Sequence, residues 1–373
     1  MLTFKIAPAY NTLQEVKMRF LKYVLILTLL LLITIAGILA LLYWDYQGVA
    51  ISKSNNLFEQ VSRSSCHEQA QDVHIAYITD ENYLYPTQVS AFSAIRNKCP
   101  NSTYYFHIIT VSVDSKQAES FFHPLTRANV HFEIIPQNEH LNQKFPELLK
   151  HISFAALLKL DLPEILTNLD RVIFLDSDTL VTKDLQELFT TDLQDFVMGA
   201  VSDIGIIAQA EYLKNLNYKQ PVYYNAGMLL MDLKKMREEK LCAQFKNYLQ
   251  NAKGLVFLEQ DTLNMVLQNK IKALPYKYNC TAILYMQRGN LSTFWGYLKQ
   301  RLFSGSKYTS NFFKLYKSEL PFLWRNVFKE TVIFHYFGPS KPWNTAPTPN
   351  IPQQLYANLW HKYANQLDRL KKE

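Results

Sequence analysis

Hydrophobic positions are distributed along this chain in three different ways. Between Val24 and Leu42 they are nearly continuous: no charge interrupts them, only Thr28, Thr34 and Gly37 break the run, and Tyr23, Tyr43 and Trp44 border it. Such a run is long enough for a helix to cross a hydrocarbon core, and the aromatic borders suit the two interfaces. Residues 45–70 are polar and without hydrophobic rhythm, which predicts a stem. From Val73 onward short apolar runs alternate with helical repeats, the pattern of an α/β domain.

Within that domain the pattern predicts strands over Val73–Asp80, Tyr104–Val111, His131–Ile135, Phe196–Val201, Tyr224–Asp232 and Val332–Phe337. Helices are predicted over Tyr85–Asn97, Lys116–Phe122, His151–Leu166 and Lys183–Phe189, with another opening at Leu258 and a last one over 352–373. One further apolar run, Arg171–Val181, reads as a strand buried on both faces that ends in two carboxylates, Asp176 and Asp178, separated by Ser177. On an extended chain residues i and i+2 point to one side, so both acids can converge on one object. Two acids so close repel each other, and a hard divalent cation is their natural partner. Ligands of open sheets sit beyond the carboxyl ends of the strands. Asp80 and the Asp176/Asp178 pair occupy such ends, and Asp203 lies just past another. Simpler roles compete: Asp80, Glu259 and Asp261 as helix caps, Asp203 and Asn225 as turn residues, His335 as a satisfied strand histidine and Lys341 as a solvated loop lysine.

Of the 373 residues, 48% are hydrophobic and 19% charged, and the formal net charge is +7. Residues 1–22 carry +3, residues 291–330 carry +5 and residues 360–373 carry +2, so the remainder, which holds the paired acids, is net −3. That distribution argues against a nucleic-acid binder and associates the basic segments with a membrane. Lys17, Arg19 and Lys22 precede the apolar run, which predicts a cytosolic amino terminus and the domain across the membrane. A cleaved signal peptide with Gly48-Val49-Ala50 as its cleavage site is the competing reading, disfavoured by the length of the run and by the bulky Tyr43-Trp44-Asp45-Tyr46. The expected organisation is a cytosolic tail (1–22), a transmembrane signal anchor (23–43), a stem (44–70), the α/β domain (71–345) and a carboxy-terminal helix (346–373), solvated and basic at its end. Cys66, Cys99, Cys242 and Cys280 form no Cys-x-x-Cys; up to two disulfides, in three connectivities, are open to them. Asn101-Ser-Thr, Asn279-Cys-Thr and Asn290-Leu-Ser satisfy the glycosylation pattern at about its chance frequency. No Gly-x-Gly-x-x-Gly or Walker sequence occurs, which argues against a dinucleotide or P-loop site.

Six short motifs stand in order: Ile78-Thr79-Asp80-Glu81-Asn82-Tyr83, His151-Ile152-Ser153 with Lys159, Leu175-Asp176-Ser177-Asp178, Tyr224-Asn225-Ala226-Gly227, Glu259-Gln260-Asp261, and His335-Tyr336-Phe337-Gly338-Pro339-Ser340-Lys341-Pro342-Trp343. Over about residues 73–345 the chain resembles glycosyltransferase family 8, the family of glycogenin and of bacterial lipopolysaccharide galactosyl- and glucosyltransferases. The resemblance implies a GT-A nucleotide-diphospho-sugar transferase fold, a mixed and mainly parallel central sheet flanked by helices. It also implies a manganese (or magnesium) ion, a UDP-sugar donor, and transfer of a hexose or pentose with retention of configuration.

On that resemblance Asp176, Asp178 and His335 would bind the metal, a donor set that suits manganese better than an all-oxygen calcium site. Lys341 and Gly338 would meet the diphosphate, and Asp80, Asn82 and Ile78 the uridine and ribose. Lys159, where most relatives have arginine, and Ser177 would add further donor contacts. Asp203, Asn225 and Gln260 would face the donor sugar and the acceptor, with Ala226 and Gly227 making room. Gln260 stands where a nucleophile would be needed for double displacement, and an amide is a poor one. Same-face transfer is therefore expected, with Gln260 and Asp203 stabilising the cationic sugar. The acceptor is expected to be a glycan, glycoprotein or glycolipid, selected by the aromatic, basic segment 291–330, and the enzyme a single-pass type II membrane protein of Golgi or ER type. A UDP-sugar hydrolase and a non-catalytic sugar-nucleotide-binding membrane protein are the alternatives.

Overall fold

The computed structural model describes residues 18–37, 66, 71–137, 154–207, 210–281, 330–338, 341–344 and 352–372. The amino-terminal helix Met18–Gly37 is a unit by itself, with a mean hydropathy of 2.3 over its apolar window. Thr28 and Thr34 donate their hydroxyls to the carbonyls of Val24 and Leu30, so neither breaks the apolar surface with an unsatisfied group. It is the one helix among the described residues long and apolar enough to cross a membrane. The remainder of the expected span, residues 38–43, lies outside the described residues.

The domain is built on a sheet of seven strands: β1 (Asp72–Thr79), β2 (Thr103–Val111), β3 (Val130–Gln137), β4 (Arg171–Leu175), β6 (Met198–Ser202), β7 (Tyr224–Asp232) and β8 (Ile271–Ala273). Their order is β3-β2-β1-β4-β7-β6-β8. Every neighbouring pair is parallel except the two that involve β7, so six strands run one way and β7 runs back between β4 and β6. A smaller sheet, β5 (Thr179–Val181), β10 (Ile333–His335) and β9 (Cys280–Thr281), stands beside it. Period-two alternation divides β4 between two cores: Ile173 and Leu175 pack with β1 and β2 residues on one face, Val172 and Phe174 on the other. Burying each such side chain contributes about 1.5–3 kcal/mol.

Three local expectations change. The run Arg171–Val181 is not one strand: it leaves the large sheet at Leu175, turns through Asp176–Asp178, and continues as β5 in the small sheet. The expected helix His151–Leu166 is broken into Phe154–Leu158, a 3₁₀ turn Lys159–Asp161 and Leu162–Ile165, because Pro163 lacks an N–H and restricts the residue before it. The carboxy-terminal helix Pro352–Leu370 is not solvated throughout: Leu359, Trp360, Ala364 and Leu367 join the core beside the helix Leu84–Asn97. Cys66 and Cys99 form a disulfide, while Cys242 and Cys280 are buried.

Candidate active site

Because six strands share a direction, Asp80, Asp176 and Asp203, which follow β1, β4 and β6, stand on one rim of the sheet, and Asn225 enters β7 at the same rim. The Asp-Ser-Asp turn is fastened there by its backbone. The Asp176 N–H donates to the Gly227 carbonyl (2.8 Å), and the Asp178 carbonyl accepts from the Tyr336 N–H (2.8 Å). Ser177 points inward between its two acidic neighbours, receiving the Thr87 hydroxyl (2.7 Å) and donating to the Ile78 carbonyl (3.1 Å). The turn thus commits Ser177 to the core and leaves the two carboxylates to meet on its other side.

The small sheet carries His335 to the same point. Its Nε2 lies 3.2 Å from Asp178 Oδ1 and 3.8 Å from Asp176 Oδ2. Ligand atoms of Asp176, Asp178 and His335 all fall within 4.8 Å of one another. Gly227 makes this possible: a Cβ there would sit 2.1 Å from His335 Cε1, so the space at this glycine belongs to the imidazole. Burial alone would raise the Asp178 carboxyl, but His335, when its ring is charged, and Lys341 hold it well below the usual carboxylate range. Lys341 Nζ pairs with Asp178 Oδ2 and donates to the Tyr336 carbonyl (3.0 Å). Two carboxylates, one imidazole and a cradle open only to that ring fit a divalent cation of the manganese or magnesium type. Gly338 has φ +92°, a conformation that favours glycine, with open space where a side chain would be.

Lys159 closes the other flank of the pair. Buried over the Phe174 ring, it donates to the Ala226 carbonyl (2.9 Å), pairs with Asp176 Oδ1 (3.0 Å) and reaches Glu259 Oε1 at 4.0 Å. Burial raises the Glu259 carboxyl and Lys159 opposes that rise. Glu259 therefore belongs to the rim, and only its position beside Gln260 hinted at this in the sequence. Asp261 is different: fully buried, it accepts from the N–H groups of Val256 and Phe257 and from the Tyr212 and Tyr223 hydroxyls, which makes it the fastening of the loop before the helix Leu258–Val266.

Asp203, Asn225 and Gln260 meet directly. Asp203 Oδ2 accepts from Asn225 Nδ2 (3.1 Å) and Gln260 Nε2 (3.2 Å), its Oδ1 accepts from the Ile206 N–H (3.1 Å), and Gln260 Oε1 accepts from the Ala226 N–H (2.9 Å). Asn279, which the sequence presented only as a glycosylation sequon, is 1% exposed and bonds both Asn225 and His335; burial excludes it as a glycan acceptor. At the β1 end, Asp80 Oδ1 accepts from the Tyr83 N–H (3.0 Å), and Asn82 is exposed in the intervening turn. The site expectations at His151-Ile152-Ser153, Pro339-Ser340 and the aromatic segment 291–329 lie outside the described residues.

A rim of this kind, with acids at the carboxyl ends of parallel strands and one antiparallel strand between, defines the GT-A class of nucleotide-diphospho-sugar transferase folds. Within that class, the chain belongs to glycosyl transferase family 8, whose model matches residues 74–346. A putative glycosyltransferase of Haemophilus influenzae is 28% identical over 214 residues, 57% of this chain and 64% of that protein. A lipopolysaccharide 1,2-glucosyltransferase of Escherichia coli is 23% identical over 301 residues, 79% of this chain and 80% of its own length. Among solved structures, an active-site mutant of LgtC superposes with a TM-score of 0.60 at 24% identity, over 79% of this chain and 96% of that one. LgtC in complex with donor and acceptor sugar analogues gives 0.58 over the same shares.

Proposed function

We propose that the chain is a retaining, manganese-dependent glycosyltransferase, with magnesium as the alternative ion, that moves a hexose or pentose from a UDP-sugar to a glycan, glycoprotein or glycolipid acceptor. One observation carries this reading: two acids from a strand end and a histidine remote in sequence converge, with a lysine on either flank, where a GT-A sheet presents its ligands. Asp176, Asp178 and His335 would hold the cation, which when bound supplies charge to neutralise a departing nucleotide diphosphate. Lys341, released from Asp178, and the backbone at Gly338 receive the phosphates. Asp80, Asn82 and the Ile78 end of β1 bind uridine and ribose. Lys159, Ser177 through its backbone, Asn225 and Ala226 line the donor side.

Gln260 is the side chain assigned to the developing positive charge of the sugar. Its amide is clamped at both ends, nitrogen to Asp203 and oxygen to the Ala226 N–H, so it is preorganised and pays no reorientation as charge develops. Asp203 accepts three hydrogen bonds and acts by holding Gln260 and Asn225. Gln260→Ala is expected to lower turnover about 10²-fold, and turnover left mostly intact removes the side chain from the mechanism.

The domain is placed on the non-cytosolic side of a type II anchor, of the Golgi or ER type where UDP-sugars are supplied. The cationic flank of the apolar helix and the Cys66–Cys99 disulfide, a bond of oxidising compartments, support this. UDP release from a panel of UDP-sugars, measured with and without manganese and with and without saccharide acceptors, tests the activity. Acceptor-stimulated, metal-dependent release is expected. Release indifferent to every acceptor makes the protein a hydrolase, and none with any donor makes it a binding protein. Protease protection in sealed vesicles tests the orientation.

A further inference from the structure

We propose that Asn279 is a positioning residue that fixes the tautomer of His335, holding Nδ1–H so that the Nε2 lone pair faces Asp176 and Asp178. The proposal rests on the metal-site reading of His335. Its basis is the direction of the hydrogen bonds in one buried chain. The Gly227 backbone N–H, which can only donate, bonds Asn225 Oδ1 at 2.9 Å. That makes the facing atom of Asn225 an oxygen and turns its Nδ2 to Asp203, an acceptor, at 3.1 Å. The same Asn225 oxygen lies 2.8 Å from the Asn279 amide, which must present Nδ2 there. Asn279 Oδ1 is then the atom 2.9 Å from His335 Nδ1, and an amide oxygen cannot donate, so Nδ1 carries the proton. Each assignment forces the next, starting from a backbone group whose role is not adjustable.

A second fixed donor orients the neighbouring glutamine. The Ala226 N–H bonds Gln260 Oε1, which turns Gln260 Nε2 toward Asp203. Consecutive backbone amides, Ala226 and Gly227, therefore orient both the sugar-facing glutamine and the metal-facing histidine. With 1% of its surface exposed, Asn279 is shielded from bulk solvent. Partners of this kind set the tautomer and ring orientation of metal-binding histidines.

The test uses the full chain in detergent or nanodiscs with histidine labelled in 15N, without metal and above the ordinary imidazole range, the His335 signal being assigned by its loss in His335→Gln. The expected signal has Nδ1 protonated and Nε2 bare; an Nε2–H signal in the wild type overturns the proposal. Asn279→Leu is expected to mix the tautomers and to weaken Mn2+ binding, followed by the electron spin resonance of the free ion, about 10–100-fold. Asn279→Asp keeps an acceptor for Nδ1–H and is expected to keep the tautomer although its link to Asn225 is lost, which decides the matter if the leucine variant fails to fold. An unchanged tautomer in folded Asn279→Leu, or a lost one in folded Asn279→Asp, overturns the assignment. A wild type with the expected tautomer that binds no Mn2+ defeats the metal reading and leaves the positioning role in place.

Discussion

Asp176, Asp178 and His335 bring three ligand atoms within 4.8 Å of one another, and so do Cys242 and, from the 3₁₀ turn Lys159–Asp161 and the helix Leu162–Ile165, Asp161 and Glu164. By spacing the two clusters are equals; by chemistry they are not. In the second, Lys246 sits between the acids, 2.8 Å from Asp161 and 3.2 Å from Glu164, and no imidazole is present. Burial, with Glu164 and Asp161 nearby, pushes the Cys242 thiol up to about 12, so it offers no thiolate. In the first, Asp178 is kept ionised by Lys341 and by His335 when that ring is charged, a glycine makes room for the ring, and a buried amide bonds it. Proximity of ligand types is common, and lysines pair with the acids of both clusters; what distinguishes the first is an imidazole held by a buried amide where the second has a protonated thiol.

The largest test of this contrast is Asp178→Asn, expected to lower metal-dependent turnover by about 10²–10³-fold or more in an initial-rate assay, since the variant leaves His335 and Lys341 facing a neutral amide. Gly227→Ala attacks the same cluster by shape: with a Cβ 2.1 Å from the ring, His335 must leave its place. A loss of Mn2+ affinity of about 10–100-fold and a destabilisation of about 1–3 kcal/mol are expected from calorimetry and thermal melts. Cys242→Ala is the opposing control, with Mn2+ affinity and turnover expected to stay within about twofold. A metal response in this variant would collapse the distinction.

The smallest effects are in pH, and they carry opposite signs. The folded Asp178 carboxyl lies below its ordinary 3.8, so its contribution to stability is present above that value and is lost as pH falls below it. The Cys242 thiol lies above its ordinary 9.0, so its contribution is intact below 9.0 and is lost as pH rises from there toward about 12. Denaturant midpoints measured with a chelator across both windows should show the acid slope shrink in Asp178→Asn and the alkaline slope shrink in Cys242→Ala.

Much of the frame was legible because burial leaves a mark on sequence. β1, β2, β4 and β7 are runs with apolar residues on both faces, and Asp80 and Asp176 stand where β1 and β4 stop. The same signal misled over Arg171–Val181, since a strand that changes sheets at a turn has the apolar pattern of one that continues. It said nothing of Asn279 or Glu259, because a polar residue's pattern does not tell whether its partner is water or a buried amide. Gly227 shows the limit at one atom: the missing side chain is visible in the sequence, but the ring that fills its space is not.

By itself, then, the sequence determined the periodicities, the apolar helix, the charges at strand ends and the order of the motifs, all of which are local or additive along the chain. Only the tertiary structure decided that β10 would lay His335 against Asp178, that Cys66 would join Cys99, and that one cluster of ligands would gain an imidazole bonded by a buried amide while the other gained a buried thiol. Those outcomes depend on distances between residues far apart in the chain, and hydrogen-bond direction and desolvation exist only once such residues meet.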